Sequence, residues 1–261
     1  MEQVHVEWMD TKRIVRITLD HAAKRNALSM QVLQSLCDYL GQVRRNVHFN
    51  AVIIRAQGPV FSAGHDLAEI LGHDTTSVRA IFQQCAETMA LIHDLPQIVI
   101  AEVSGLATAA GCQLVAACDL AVAAQSARFA TPGVKIGFFC ASPSVQVARS
   151  VPRKQAAEML FTGRWMTAAD ARAYGLINRV VPDEEISSAT LSLASEVAAW
   201  SLPVLASGKE FLHQQWEMTE SGAAHYAIEY MARQSQTRDA VEGMTAFFEK
   251  RPPRWSDRSC E

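Results

Sequence analysis

The chain lacks any cysteine pairing at a metal-binding or redox spacing: Cys37, Cys85, Cys112, Cys118, Cys140 and Cys260 are scattered, with no CxxC and no His–Cys cluster. This argues against a zinc finger or a disulfide scaffold and for reduced thiols in a reducing compartment. Long basic runs are also missing, and the net charge is −3, so there is no electrostatic footprint for nucleic acid or an anionic membrane. An acidic ligand needs a local site. Uninterrupted apolar runs are absent too, since the stretch from Ile98 to Ala124 is broken by Glu102, Gln113 and Asp119. The opening MEQVHVEWMD has neither the basic start nor the apolar run of a signal peptide. We therefore expect no nucleic-acid partner, no membrane span and no metal. There is no internal repeat and no low-complexity tract.

What is present is core-forming material. Of 261 residues, 49% are hydrophobic and 20% charged, enough for a substantial core in one domain, or one domain with an appendage. Arg13–Leu19 alternates polar and apolar residues at period two, whereas 51–56, 98–101 and 119–124 are short continuous apolar runs, as in strands buried on both faces. Ser29 is a candidate N-cap for a helix whose Leu33, Leu36, Leu40 and Val43 form one apolar stripe. Strand, helix, strand, helix implies an α/β core. After about residue 140 strand signals thin out. Pro152 suits a first helical position, and Thr167 with Asp170 resembles a capping box for a helix ending near Gly175. A break at Ser201-Leu202-Pro203 divides a core, residues 1–202, from a helical C-terminal region, residues 203–261.

Two segments carry the chemistry. FSAGHDL (Phe61–Leu67) and ATAAGCQ (Ala107–Gln113) put small residues where a strand turns toward a helix, so backbone N–H groups unshielded by bulky side chains can point at a ligand oxygen. Two such donors make an oxyanion hole. Neither segment, nor the later TPGVKIG, places a carboxylate where a general acid or base is expected. The pattern suits holding an enolate and is poor in proton-handling groups.

These segments, with KRNALS at 24–29, VSGLATAAGCQLVAACDLAVA at 103–123, FATPGVKIG at 129–137, LFTGRWMTAADARAYGLINRVVP at 160–182 and EGMTAFFEKRPP at 242–253, resemble the crotonase (enoyl-CoA hydratase/isomerase) superfamily in order and spacing. Among its branches the chain is most similar to the enoyl-CoA hydratase domain-containing protein 3 type, at GHDL, AAGCQLVA, ATPGV and VPRK. The resemblance implies an α/β spiral of ββα units, ClpP-like, with a helical C-terminal trimerisation region. It implies homotrimers or dimers of trimers, and an acyl-CoA ligand in which coenzyme A is part of the thioester, with no separate cofactor. It assigns the two donors to the backbone N–H groups of His65 and Ala110. Ligand contacts fall at Lys24, Ala63, His65, Asp66, Leu67, Ala110 and Gly133.

The departures narrow the chemistry. The two positions that carry catalytic Glu in hydratases of the family are Gln113 and Gly133 here, and the acid of the dienoyl-CoA isomerases falls at Ala141. A hydratase must activate water and protonate the α-carbon, which needs a titrating group. Gln does not titrate and Gly has no side chain. This leaves an enolate-stabilising enzyme, a malonyl-type-CoA decarboxylase whose enolate forms as carbon dioxide leaves, a non-catalytic acyl-CoA binder, or an enzyme in which an ion such as bicarbonate fills the space at Gly133.

Each side chain near the site has a second reading. His65 acts through its backbone, with its imidazole free to donate a proton or touch the ligand. Gln113 either orients a water or carbonyl, or satisfies backbone groups. Asp66 is expected to cap the turn beginning at Leu67. Lys24 and Arg25 either meet coenzyme A phosphates or form a solvated pair, and Lys250 with Arg251 are placed to reach a neighbouring subunit's ligand. Cys112 and Cys140 are expected to be buried and inert. Nothing in the sequence joins Ser142, Ser144 and Lys135 into a nucleophile set. The expected location is a bacterial cytoplasm, with a trimmed mitochondrial matrix protein as the alternative.

Overall fold

The computed structural model describes residues 2–258; Cys260 lies outside them. An antiparallel hairpin of β1 (Val4–Met9) and β2 (Ile14–Leu19) leads into α1 (Met30–Arg44). Then follow β3 (Ala51–Ala56), β4 (Val60–Ser62), α2 (Thr75–Asp94), β5 (Ile98–Val103), β6 (Leu106–Thr108), α3 (Ala110–Ala117), β7 (Leu120–Ala124) and β8 (Arg128–Ala130). The chain continues through α4 (Ala141–Ser150), α5 (Arg153–Thr162), β9 (Met166–Thr167), α6 (Ala168–Ala173), β10 (Arg179–Val181) and α7 (Ile186–Ala198). It ends with α8 (Leu202–Trp216), α9 (Glu220–Gln234) and α10 (Arg238–Glu249).

A long strand followed by a short one and a helix recurs three times, as β3-β4-α2, β5-β6-α3 and β7-β8-α4. The long strands build one sheet, ordered β1-β2-β3-β5-β7-β10 and parallel from β2 onward; the short ones build a second, β4-β6-β8-β9. This is the ββα spiral expected from the resemblance. The apolar runs have a clear cause. Val52, Ile54, Val99 and Ala101 face the large core with α1, α2 and α3, while Ala51, Ile53 and Ile100 face a second cluster with Ile186, Leu193, Ala194 and Ala198 of α7. Both faces of the sheet are therefore dry, and alternation disappears.

Local signals held with small shifts. Ser29 Oγ accepts from Val32 N at 3.3 Å and caps α1, whose buried stripe includes Leu33, Leu36, Leu40 and Val43. Thr167 and Asp170 form the reciprocal capping box of α6. Pro152 is the N-cap of α5 rather than its first residue, its ψ of 143° still extended. Ser201 caps α8, so Pro203 sits in a first helical turn, where a missing N–H is harmless, and the expected division after residue 202 falls inside that turn.

The C-terminal helices are bolted to the core by buried polar contacts. Lys209 of α8, 5% exposed, donates from Nζ to Ile92 O (2.7 Å), Gln97 O (3.1 Å) and Asp119 Oδ2 (2.7 Å). His213, one turn on, lies 3.8 Å from Asp119 Oδ1 and stacks on His93 at 4.6 Å. The tail then returns to the first strands, where Arg13 donates to Asp257 Oδ2 (2.6 Å) and Asn50 Oδ1 (2.9 Å), and Asn50 donates to Trp200 O (2.7 Å).

Candidate active site

β4 and β6 pair in parallel, Val60 with Leu106 and Ser62 with Ala107, so the loops that leave them emerge side by side. Contact is made by Gly64, at φ +91°, where a Cβ would stand 2.8 Å from Ala109 Cβ and 3.1 Å from the Ala110 nitrogen. Only glycine allows that approach. Behind it, a Cβ at Gly111 would meet Ser62 O at 2.4 Å. The first loop is pinned from outside by Leu28 N donating to Gly64 O (2.8 Å) and Ala63 N to Arg25 O (3.0 Å), and from the second loop by Thr108 Oγ1 donating to Ala63 O (3.0 Å). Ala109 holds φ 49° and ψ −118° immediately before α3, a conformation costing an alanine on the order of 1–3 kcal/mol. It turns the chain so that α3 starts at Ala110. Among the described residues, neither the His65 nor the Ala110 amide donates to a protein acceptor.

The side chains divide between support and site. Asp66 Oδ1 accepts from Ala68 N at 3.0 Å, capping a short 3₁₀ turn over 67–69, and its other oxygen lies 3.7 Å from Lys24 Nζ. This is the capping role expected, and it gives Lys24 a carboxylate neighbour. Leu67 is half exposed and Ala63 half-buried. The His65 ring places Nδ1 3.3 Å from Leu28 O and meets Phe82 edge-on at 5.0 Å, while Nε2 is buried without a partner. Burial holds the imidazole below its ordinary value, partly offset by the Leu28 carbonyl.

Gln113, 2% exposed on α3, donates to Gln146 Oε1 (3.0 Å) and Ser142 Oγ (3.3 Å). Its amide is therefore satisfied by side chains of α4, and not by the backbone. Gln146 was not anticipated; its one legible signal is its place one helical turn after Ser142. Ser144 Oγ donates to Ala141 O, and Lys135 lies beside Gly163, so the two join no nucleophile set with Ser142. Cys85 and Cys112 thiols are pushed up to about 12 by burial, and Cys140 upward for the same reason; these cysteines are poor nucleophiles. Arg251 is paired with Glu242 (2.6 Å) and Glu249 (2.6 Å) of its own chain.

Gly133 gives the sharpest correction. A Cβ there would lie 2.0 Å from Phe138 O and 2.8 Å from Cys140 Sγ, because the chain folds back with Phe138 N donating to Gly133 O at 2.9 Å. The direction a side chain would take at Gly133 is thus filled by backbone, and the start of a side chain finds no room there.

Residues 10–258 match the model of the family described as enoyl-CoA hydratase/isomerase. The chain is 45% identical over 245 residues to the mitochondrial enoyl-CoA hydratase domain-containing protein 3 of Danio rerio, covering 94% of this chain and 85% of that one. The Homo sapiens protein of the same name is also 45% identical over 245 residues, covering 93% and 80%. The crystal structure of the human protein superposes with a TM-score of 0.93 at 42% identity, over 97% of this chain and 100% of that one. An enoyl-CoA hydratase of Mycobacterium smegmatis gives 0.94 at 39% identity, over 98% and 99%.

Proposed function

Because the chain belongs to the enoyl-CoA hydratase/isomerase family, we propose that it binds an acyl-CoA thioester and stabilises the thioester oxygen as an enolate between the amides of His65 and Ala110. The observation that carries this reading is the pair of acceptor-free amides, brought together by the close approach of Gly64 to Ala110. An enolate carries its charge on the thioester oxygen, and two preorganised N–H donors are worth most where that charge develops. Coenzyme A enters as part of the ligand. Ordinary hydration is not part of the proposal: Gln113 is neutral and tied to Ser142 and Gln146, Gly133 is backfilled, and Ala141 has no acid.

Acetoacetyl-CoA tests the reading, because its enolate absorbs differently from its keto form. Bound enolate should develop at a pH where the free thioester is still keto, and crotonyl-CoA should show no hydration above buffer. Absence of bound enolate refutes the oxyanion role, and rapid crotonyl-CoA hydration refutes the exclusion of hydratase chemistry.

The exposed Trp216, Ile228, Met231, Phe247 and Phe248 of α8 to α10 support self-association of the helical region into trimers or dimers of trimers, measurable by sedimentation equilibrium. The five described cysteines are all free, which suits a reducing compartment, the bacterial cytoplasm or the mitochondrial matrix. No single helix among the described residues is long and apolar enough to cross a membrane.

A further inference from the structure

We propose that His65 Nε2 is the base that removes the α-proton of the bound thioester, so that the site enolises acyl-CoA ligands bearing α-hydrogens. This rests on the reading above. A carbonyl oxygen only accepts, so the contact with Leu28 O places the proton of the neutral ring on Nδ1 and leaves Nε2 with a bare lone pair. That nitrogen is buried with no donor to meet it, a state costing roughly 1–3 kcal/mol when nothing compensates. The ring is closed over by Phe82, which meets Phe138 at 6.1 Å, and Phe138 is 45% exposed in the loop before α4. The proposal requires that an acyl chain entering beside Phe82 displace that loop side chain and uncover Nε2.

The other groups around the two loops are occupied or unsuited. Asp66 caps a turn and faces Lys24, and Glu69 accepts from Met30 N at 2.8 Å. Burial keeps Cys85, Cys112 and Cys140 protonated, and the Gln113 amide does not titrate. Burial also keeps the imidazole neutral, and hence a base, at physiological pH.

The step balances within the site. The Cα–H bond breaks and its proton goes to Nε2, giving an imidazolium whose Nδ1–H still faces Leu28 O. The C–H electron pair becomes the carbon–carbon double bond, and the carbonyl π pair moves onto the oxygen held by the two amides. Reversal returns a proton to the α-carbon, and exchange of the imidazolium with solvent replaces it.

The experiment is α-deuterium wash-in from D₂O into butyryl-CoA, followed by mass spectrometry, with binding measured calorimetrically on the same samples. Wild-type protein should incorporate deuterium. His65→Gln should slow incorporation at saturating butyryl-CoA by about 10²–10⁴-fold while still binding it, because the amide of residue 65 survives the substitution. Free imidazole should restore part of the rate to His65→Gly. Binding without wash-in overturns the proposal and leaves the binding reading standing. Wash-in indifferent to His65→Gln also overturns it, and failure to bind butyryl-CoA at all sinks both.

Discussion

Replacing Gly64 by alanine probes the contact on which the site depends. The new Cβ meets two obstacles, a φ of +91° and Ala109 Cβ at 2.8 Å with Ala110 N at 3.1 Å. The backbone contributes about 1–3 kcal/mol and the overpacking another 1–3 kcal/mol, so Gly64→Ala should destabilise by about 2–6 kcal/mol. Gly72 separates the two effects, having φ +79° with nothing within 4 Å of its would-be Cβ; Gly72→Ala incurs the backbone cost alone. Equilibrium urea denaturation of both variants therefore isolates the contact as their difference, about 1–3 kcal/mol. Acetoacetyl-CoA enolate formation should fall by about 10²-fold or more in Gly64→Ala and persist in Gly72→Ala. Equal stabilities for the two variants would mean that the loops do not touch at Gly64. A destabilised Gly64→Ala with full enolate formation would remove the amide pair from the chemistry.

Gly133→Ala should destabilise by at least about 1–3 kcal/mol, since its Cβ meets the Phe138 carbonyl at 2.0 Å; an unchanged thermal midpoint would show the loop to be free to move. For the same reason, Gln113→Glu combined with Gly133→Glu should fail to create a hydratase, as a crotonyl-CoA assay would show. Lys209→Met strands Asp119 next to the core and should cost about 3–5 kcal/mol in urea denaturation, whereas a value near zero would mean that Lys209 does not hold α8 in place. His93 is held below its ordinary 6.5 by burial, then by His213, with Lys209 also lowering it and Asp119 and Asp94 opposing. The unfolded chain then binds that proton more readily, so the contribution of His93 is intact above about pH 6.5 and is lost as pH falls toward the depressed native value. The urea midpoint of wild type should drop more steeply below pH 6.5 than that of His93→Gln.

Much of the frame was legible because its signals are local. Ser29 and Thr167 with Asp170 announce helix starts through their own hydrogen bonds, and the run at 51–56 announces a strand dry on both faces. The short strands β4, β6, β8 and β9 span two or three residues each, below the length at which any period can be seen. They were recoverable only as a family pattern. β1 was missed although Val4, Val6 and Trp8 alternate with His5 and Glu7. At the candidate site, the sequence singled out both loops, Gln113 and Gly133, yet it treated Gly133 as an empty place. That Phe138 carbonyl fills it is a long-range fact of backbone geometry, invisible to residue type. The same holds for Gln146, which meets Gln113 only because α4 packs on α3.

The buried contact between Arg13 and Asp257 has a consequence for synthesis. The two residues are separated by 244 positions, and ribosomes add about 5–20 residues per second, so Arg13 waits roughly 10–50 s for the carboxylate that neutralises it. Until then its guanidinium keeps its water, and the neighbouring Asn50, whose other partner is the Trp200 carbonyl, is equally unfinished. The hairpin, made long before its partners, is thus among the last parts to lock. A nascent chain stalled before residue 257 should carry a loosened first strand pair, open to proteases while the spiral behind it is already closed.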